Sequence, residues 1–345
     1  MIESSKEKEL KKAKKNLSLQ RKEDTVVHEE KIRPAKLDEI IGREKEKKAV
    51  RMMVKSAQRR KEPVDHILFY GPPGLGKTTF AMAIANEVGA SIKITSGPAI
   101  ERQGDLAAIL TGLKQNDILF IDEIHRLPKI IEEILYPVME DGMLDIVMGK
   151  GPSAKTIRLG LEPFTLIGAT TQIGKISSPM RDRFGLIQRL DFFSDDDLIS
   201  ILSRAAKLWK ISIDDDSLKM LAGCSRGTAR IGLRLLRRSR DCAESNGKDS
   251  ITVDIVEETL KLLGIDKLGL EKIDRTLLTS LLTNFGGGPI GLSTLAASIS
   301  EDETTISEVY EPFLMKNGLI QRTSRGRVLT EKGLKYVENL DNANN

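Results

Sequence analysis

The chain has 345 residues, of which 40% are hydrophobic and 30% charged, so it is long enough for two or three globular domains. No apolar run approaches the roughly 20 residues that a membrane-spanning helix needs, and the N-terminus, rich in lysine and glutamate, does not resemble a signal peptide. Aromatic residues make up only 4% of the chain, which argues against a platform that stacks single-stranded nucleic acid. The two cysteines, Cys224 and Cys242, form no CxxC motif and indicate neither a zinc site nor a disulfide framework. We therefore expect a cytoplasmic protein with no membrane partner.

The net charge is only +4, but basic residues are concentrated in two segments. Residues 226–240 contain six arginines and no acidic residue, and residues 316–335 contain six basic residues against Glu331 alone. Each run by itself is typical of a solvated helix face, whereas two separate runs favour an anionic partner. Residues 1–24 contain eight basic and five acidic residues with few large apolar ones, which predicts a flexible or helical extension outside the fold.

Three apolar runs, at residues 66–70, 117–123 and 164–171, predict buried strands. Helical spacing precedes the first run at residues 37–57 and follows it at residues 80–88. Because strands that alternate with helices form parallel sheets, these patterns predict an α/β domain.

The first predicted strand leads directly into GPPGLGKTT (71–79), which matches the P-loop pattern G-x-x-x-x-G-K-[ST] between a strand and a helix. Glycines in this loop let backbone amides turn toward phosphates, and the helix N-terminus adds its positive dipole end. Lys77 is expected to neutralise the β- and γ-phosphates of ATP, and Thr78 to ligate Mg2+. The nucleotide-binding positions predicted in the loop are Gly74, Gly76, Lys77, Thr78 and Thr79.

Polar residues end the other two predicted strands. Asp122 and Glu123 lie at the carboxyl end of a strand, where ligands bind in parallel sheets. We expect Asp122 to hold Mg2+ through water and Glu123 to orient and polarise the attacking water. Thr170 and Thr171 end the next strand, where a hydroxyl would sense the γ-phosphate or that water, and Thr171 is the candidate catalytic residue. The alternative is that these threonines simply terminate the strand.

Residues 144–159 predict a β-hairpin inserted between the second and third strands, because two alternating arms flank a Gly/Pro/Ser turn. Its residues Ile146, Met148 and Ile157 either pack on the parent domain or form an exposed docking surface. From residue 194 the pattern is helical through about residue 263.

The C-terminal part predicts three helices, at residues 275–284, 292–299 and 304–317, followed by two short apolar arms around a basic turn at residues 319–329. Three helices and a basic β-hairpin are the pattern of a winged helix.

The chain as a whole resembles the AAA+ ATPases and, within that class, the RuvB family of bacterial motors for Holliday-junction branch migration. The resemblance covers about residues 30–336 and implies an AAA+ P-loop parallel-sheet domain at 25–193, a helical lid at 194–264 and a winged-helix domain at 270–340, with the extension 1–24 and a tail at 341–345 outside it. The motifs that carry it are the P-loop, LFIDEIHRL (119–127), LYPVMED (135–141), GKGPSA (149–154), FTLIGATT (164–171), SPMRDRFG (178–185) and QRTSRGR (321–327).

The resemblance implies roles for further residues. Arg183 matches the arginine finger, which reaches into the nucleotide of a neighbouring subunit, and Arg230 matches the lid residue that contacts the γ-phosphate from the same chain. Phe193 stands where a nucleotide-contacting tyrosine is common, and Ala229 where proline is common. Further implied positions are the adenine-side residues Ile32 and Arg33, the intersubunit residues Glu140, Asp141 and Gly142, and the DNA-contacting residues Arg322, Arg325 and Arg327.

The function that this resemblance implies is an ATP- and Mg2+-dependent DNA translocase that acts as a homohexameric ring on the double-stranded arms of Holliday junctions in recombination and repair. The implied partners are RuvA, which docks on the hairpin at 144–159, and the RuvC resolvase. Two alternatives remain open: a nucleotide-switched binding module such as a clamp loader or initiator, and a transcription regulator built on the winged helix. The hairpin insertion favours the motor over the switch. The basic wing disfavours the regulator, although the expected recognition helix carries Thr304, Thr305, Ser307, Glu308 and Lys316.

Overall fold

The structure, a computed structural model, describes residues 32–148 and 155–344. The predicted extension at 1–24 and the GKGPSA motif (149–154) of the hairpin lie outside the described residues. In the part of the chain that is described, no helix has the length and apolar character needed to cross a bilayer.

A five-stranded parallel sheet forms the first domain, and its strands in spatial order are Ile92–Ser96 (β2), Ile118–Asp122 (β3), Thr165–Thr170 (β6), Ile67–Tyr70 (β1) and Leu186–Arg189 (β7). The three strands predicted from sequence are its central ones, β3, β6 and β1. The sequence analysis missed both edge strands, because their side chains are only partly buried and form no continuous apolar run. The strands of this domain, including the hairpin, are β1 (Ile67–Tyr70), β2 (Ile92–Ser96), β3 (Ile118–Asp122), β4 (Met143–Met148), β5 (Lys155–Gly160), β6 (Thr165–Thr170) and β7 (Leu186–Arg189).

Helices cover the sheet, and the expectation of one continuous helical segment at residues 37–57 is wrong. Gly42 and Arg43 have φ angles of 67° and 59°, in the left-handed region, and separate a short 3-10 turn from the following helix. Arg43 has this left-handed backbone conformation, and its guanidinium donates hydrogen bonds to the carbonyl oxygens of Leu75 and Asp191. The α-helices described in the domain are Glu44–Arg60, Lys77–Val88, Gln103–Leu110, Lys129–Asp141 and Ser178–Arg181, and the short 3-10 helices are Leu37–Glu39, Gly97–Ala99, Ile124–Arg126 and Ile173–Lys175.

The predicted hairpin is present as the antiparallel pair β4 and β5. Leu144 is fully buried and Ile146 packs against the same core, whereas 43% of Ile157 is exposed. Ile146 pairs with Ile157, so both side chains lie on the same face of the hairpin. Each of the two expectations therefore describes part of that face, which packs on the parent domain at Leu144 and Ile146 and exposes Ile157 to solvent.

The second domain is a helical lid that shares a core with the sheet domain, since Leu198 and Leu202 lie in one cluster with Phe69 and Phe80. Ser194 caps its first helix, with its hydroxyl accepting from the backbone amide of Asp197 at 3.1 Å. The lid is not wholly helical, because two dipeptide strands pair in parallel. Its elements are Asp195–Trp209, β8 (Ser212–Ile213), Asp215–Gly223, Ala229–Ser245, β9 (Ser250–Ile251) and Val253–Leu262.

The third domain is a winged helix with its own core around Leu277, Leu281 and Leu314. Its wing is an antiparallel hairpin in which Arg322 pairs with Arg327. The predicted fold class, a parallel-sheet P-loop domain followed by a helical lid and a winged helix, is therefore confirmed. The elements are Lys272–Thr283, Leu292–Ile299, Glu303–Thr305 continued by a π turn (Ile306–Tyr310) and Glu311–Lys316, β10 (Ile320–Thr323), β11 (Gly326–Leu329) and Glu331–Asn344.

Candidate functional site

The loop between β1 and the helix Lys77–Val88 has a backbone path that its glycines make possible. Gly71, Gly74 and Gly76 have φ angles of 141°, 79° and 90°, which other residues rarely adopt. A Cβ atom at Gly71 would lie 2.3 Å from the carbonyl oxygen of Leu190, and one at Gly74 would lie 3.0 Å from Cβ of Arg230. The loop is therefore closed tightly against the sheet and against the lid.

Lys77 begins the helix after the loop and points back into it. Its Nζ atom donates to the carbonyl oxygens of Gly71 at 2.8 Å and Pro72 at 3.0 Å. Burial lowers the pKa of Lys77 to about 8, although the carboxylates of Asp122 and Glu123 oppose this shift. A phosphate beside the ammonium would supply the missing negative charge, so the loop is suited to an anion.

Asp122 and Glu123 lie at the carboxyl end of β3, next to β6. The Oδ1 atom of Asp122 accepts from the backbone amide of Glu123 at 3.0 Å, and Glu123 itself has a left-handed φ of 49°. Burial raises the pKa of Glu123, and the negative charge of Asp122 raises it further, while Lys77 acts in the opposite direction. A carboxylate with a raised pKa at this edge of the sheet is suited to polarise a water molecule.

The two threonines at the end of β6 have different surroundings. Thr170 is fully buried, and its Oγ1 atom lies 2.9 Å from Nδ1 of His125 and accepts from the backbone amide of Gln172. Thr171 points toward the carboxylates, and its hydroxyl lies 3.4 Å from Oε2 of Glu123 and 3.1 Å from Oε2 of Glu308. The sequence analysis did not predict either His125 or Glu308 as part of this site.

A cleft of about 1050 Å³ separates the P-loop from the lid, and Asp122 and Glu123 line it. Arg230 lies in the first turn of the lid helix Ala229–Ser245 and lines the cleft together with other arginines of the same helix. Much of the basic run at residues 226–240 therefore belongs to this cleft and not to an outer face of the lid. The residues from the run that line the cleft are Arg230, Arg234, Arg237 and Arg238.

A smaller and more apolar pocket of about 110 Å³ continues from the cleft. Ile32, Arg33 and Phe193 line it, as does the helix that begins at Ala229. The guanidinium of Arg43 stacks on the ring of Phe193 at 4.1 Å, and burial lowers the pKa of Arg43 to about 10. Phe193 thus contributes a ring face where a tyrosine would add a hydroxyl, and Arg43, which the sequence analysis did not single out, supports that ring.

Arg183 lies away from the cleft of its own chain. Its guanidinium donates to the carbonyl oxygen of Pro179 at 2.7 Å and pairs with Glu140 at 2.8 Å. The same guanidinium lies 4.8 Å from the ring centroid of Tyr136. Asp141 ends the same helix as Glu140, and Gly142 follows it with a φ of 66°. The described residues that line the cleft do not include Arg183 or the other three predicted intersubunit positions, residues 140–142.

The wing carries the three predicted DNA-contacting arginines, but two of them already have an acidic partner. Arg322 and Arg327 both pair with the buried carboxylate of Glu311, and Nε of Arg327 lies 2.5 Å from Oε1 of Glu311. The side chain of Arg322 is 49% exposed and that of Arg327 only 13%. Arg325, in the turn, is exposed. Glu311 therefore neutralises part of the positive charge of the wing, which the sequence analysis did not foresee.

A P-loop after β1, an Asp-Glu pair at the end of β3 and an arginine-bearing helical lid across one cleft define a P-loop ATPase of the AAA+ class. The family models narrow this class. Residues 32–190 match the Holliday junction DNA helicase RuvB P-loop domain, residues 193–266 the RuvB AAA lid domain, and residues 267–338 the RuvB C-terminal winged helix domain.

Solved structures of RuvB from Thermotoga maritima are similar over most of the chain. The structure described as the Holliday junction branch migration motor is 46% identical, with a TM-score of 0.81, and the match covers 89% of this chain and 98% of that one. A proline-to-glycine mutant of the same protein is 47% identical with a TM-score of 0.82 over the same shares of the two chains. The chain belongs to the RuvB family.

Proposed function

We propose that this ATPase is a DNA translocase that drives branch migration of Holliday junctions, as a homohexameric ring on the double-stranded arms, in homologous recombination and repair. The observation that carries the proposal is the joining, in one chain, of a P-loop cleft closed by Arg230 of the lid to a winged helix whose wing displays arginines. Membership of the RuvB family and the similarity to a branch migration motor support it.

In this proposal the cleft binds ATP with Mg2+. The glycines of the P-loop leave room for phosphates close to the backbone, and Lys77 and Arg230 supply positive charge on two sides. Thr78 and, through water, Asp122 offer the oxygen ligands that Mg2+ prefers. When bound, Mg2+ neutralises charge on the phosphate oxygens. Glu123 orients and polarises the attacking water, and Thr171 holds that water or the γ-phosphate. Remaining contacts are assigned to Gly74, Gly76 and Thr79 in the loop and to Ile32, Arg33 and Phe193 on the adenine side.

A ring completes the site in this proposal. Arg183 does not line the cleft of its own chain, which supports its assignment as the residue that acts on the nucleotide of a neighbouring subunit and stabilises transition-state charge there. Glu140, which pairs with Arg183, is exposed and is assigned with it to the edge that faces the neighbouring subunit. Asp141 and Gly142 are assigned to the same intersubunit edge.

The wing is proposed to grip DNA phosphates through Arg322, Arg325 and Arg327, which gives sequence-independent binding that weakens with salt. The hairpin formed by β4 and β5 is the proposed docking element for RuvA, and its exposed Ile157 supports an apolar contact. We further propose a role beside the RuvC resolvase in the cytoplasm, and domain boundaries at 25–193, 194–264 and 270–340.

The test is ATP-dependent dissociation of a synthetic four-way junction, with and without the RuvA partner, at a fixed moderate salt concentration. We expect junction movement that requires ATP and Mg2+ and is strengthened by RuvA. A chain with Ile157→Ser is the matched variant for the docking element and should lose the RuvA effect while it keeps its ATPase rate. Hydrolysis of ATP without junction movement, even with RuvA present, would favour a nucleotide-switched binding module over a motor.

A further inference from the structure

One helix of the winged-helix domain, Glu303–Lys316, contacts the other two domains. Its middle turn, Ile306–Tyr310, is a single π turn, a feature that is frequent at functional sites. From the lid, the guanidinium of Arg226 lies 4.4 Å from the ring centroid of Phe313 and pairs with the buried Asp274 at 2.5 Å. The helix is therefore anchored to the lid by groups that are hidden from solvent.

Glu308, in the π turn of this helix, reaches the ATPase site. Its Oε2 atom accepts from the hydroxyl of Thr171 at 3.1 Å, a shorter separation than the 3.4 Å from the same hydroxyl to Glu123. A hydroxyl carries one hydrogen, so it donates to one of the two carboxylates at a time. The other oxygen of Glu308, Oε1, is buried and has no hydrogen-bond partner among the described residues. Glu308 therefore competes with the catalytic groups for Thr171.

Glu311 lies three residues after Glu308 on the same helix and holds the wing. It is 1% exposed and pairs with both Arg322 and Arg327. The helix therefore connects an ion pair at the wing to a hydrogen bond at the ATPase site, about one turn apart. DNA phosphates would compete with Glu311 for the same two arginines, since both are anions that guanidinium groups bind through paired N–H donors.

We propose that Glu308 is a positioning residue of the ATPase site, which holds the hydroxyl of Thr171 in the DNA-free chain and releases it when duplex DNA draws the wing arginines away from Glu311. The proposal rests on the proposed function, because it takes the wing as the DNA contact and Thr171 as a catalytic residue. Its physical basis is differential binding: DNA shifts the helix only if it binds better to the arrangement in which Glu311 is released.

Reciprocity gives a test that needs neither ATP nor hydrolysis. If DNA binding breaks the contact between Thr171 and Glu308, part of the binding free energy is spent on breaking it. A chain that lacks the contact must then bind DNA more tightly, by the factor that corresponds to the free energy of the contact. We expect Thr171→Val, which removes the donor, to tighten binding of a linear duplex, in the absence of nucleotide, by roughly fivefold, the equivalent of about 1 kcal/mol for one hydrogen bond. Glu308→Gln keeps a neutral acceptor and weakens the contact, so it should tighten binding by a smaller factor. The double variant should bind no more tightly than Thr171→Val, since both substitutions act on the same contact.

The matched control is Glu303→Gln, which removes the same charge from the same helix. Glu303 is exposed, and its side chain makes no hydrogen bond or ion pair in residues 32–148 and 155–344. Thr171→Val changes no charge at all, so tighter binding by this variant does not arise from weaker repulsion of DNA. Duplex affinities of Thr171→Val and Glu308→Gln that equal those of the wild type and of Glu303→Gln would overturn the proposal.

The second readout is the steady-state rate of ATP hydrolysis. Glu308→Gln should raise kcat without DNA and lower the stimulation by duplex DNA by the same factor, of at most about fivefold, whereas Glu303→Gln leaves both unchanged. A fall in kcat both with and without DNA would mean that Glu308 supports the site and does not restrain it, which contradicts the proposal. If the wild-type chain separates four-way junctions while the variants at Thr171 and Glu308 have its duplex affinity and its kcat, the role proposed for Glu308 fails and the proposed function stands. If the wild type moves no junction, the proposed function fails, and the duplex affinities still decide the coupling.

Discussion

The nucleotide cleft and the wing both depend on cationic side chains, but they hold those charges in different ways. In the cleft, Lys77 is buried against backbone carbonyl oxygens, and Arg230 lies across the cleft from the carboxylates of Asp122 and Glu123. In the wing, Arg322 and Arg327 share one buried carboxylate, Glu311, that comes from the preceding helix. The cleft is therefore an anion site that local backbone geometry prepares, while the wing is an anion site that an acidic side chain already occupies in part.

This difference shows what governs each site. In the cleft, the backbone dipoles and the desolvated Lys77 interact favourably with a phosphate, and no carboxylate has to be displaced first. The interaction free energy of a bound phosphate therefore goes into binding. If the wing binds DNA as proposed, a phosphate must replace a carboxylate there, so part of the interaction energy goes into releasing Glu311. A site of the second kind is suited to transmit binding, because the released group has to move.

The largest effect is expected in the cleft, from Lys77→Ala. The substitution removes the ammonium that the loop directs to the phosphates, so ATP binding and hydrolysis should both be abolished. Equilibrium binding of a fluorescent ATP analogue and steady-state hydrolysis are the measurements. Lys93→Ala, at an exposed lysine of the same domain, is the control and should leave both unchanged. Undiminished hydrolysis by Lys77→Ala would remove the P-loop from the mechanism.

A loss of turnover with retained binding is expected from Arg183→Ala, since the guanidinium does not line the cleft of its own chain. Arginine fingers contribute about 1,000-fold to 100,000-fold to kcat in related systems. Mixing Arg183→Ala chains with Lys77→Ala chains should restore part of the activity, because some interfaces then combine an intact P-loop with an intact finger. Arg189→Ala, at a surface pair with Asp191, is the control. No recovery in the mixture would contradict action between subunits.

The two regions also differ in how far sequence alone predicts them. The P-loop and the Asp-Glu pair are predictable, because each is a short run at the end of a buried strand, and the order of residues along the chain determines their positions. The edge strands β2 and β7 could not be recognised in the same way, since partial burial removes the continuous apolar run. Gly42 and Arg43 interrupt a helical pattern through left-handed backbone angles that side-chain spacing does not reveal.

The contacts that modify the sites were not predictable, because they join residues that are distant in sequence. Glu308 reaches Thr171 across 137 positions of the chain, and Glu311 faces the wing from the helix before it. In the sequence, both glutamates look like ordinary polar positions of an amphipathic helix. The basic run at residues 226–240 was unpredictable for the same reason. The sequence shows its positive charge, but which of its side chains face the cleft depends on how the lid packs on the sheet domain.

The smallest effects are expected at the wing, and they test its difference from the cleft most directly. Arg322→Ala combined with Arg327→Ala should weaken duplex binding and lower the slope of its salt dependence by up to about 2. Glu311→Gln should have the opposite effect, because the neutral amide no longer offsets the two guanidinium charges: binding should tighten at low salt and the slope should steepen. Thermal unfolding of each variant checks that the winged helix remains folded. If Glu311→Gln leaves both affinity and slope unchanged while the double alanine variant weakens binding, the arginines act without competition from Glu311, and the wing resembles the cleft as a prepared anion site. If neither variant changes the salt slope, the phosphates are held elsewhere and the wing is not the DNA contact.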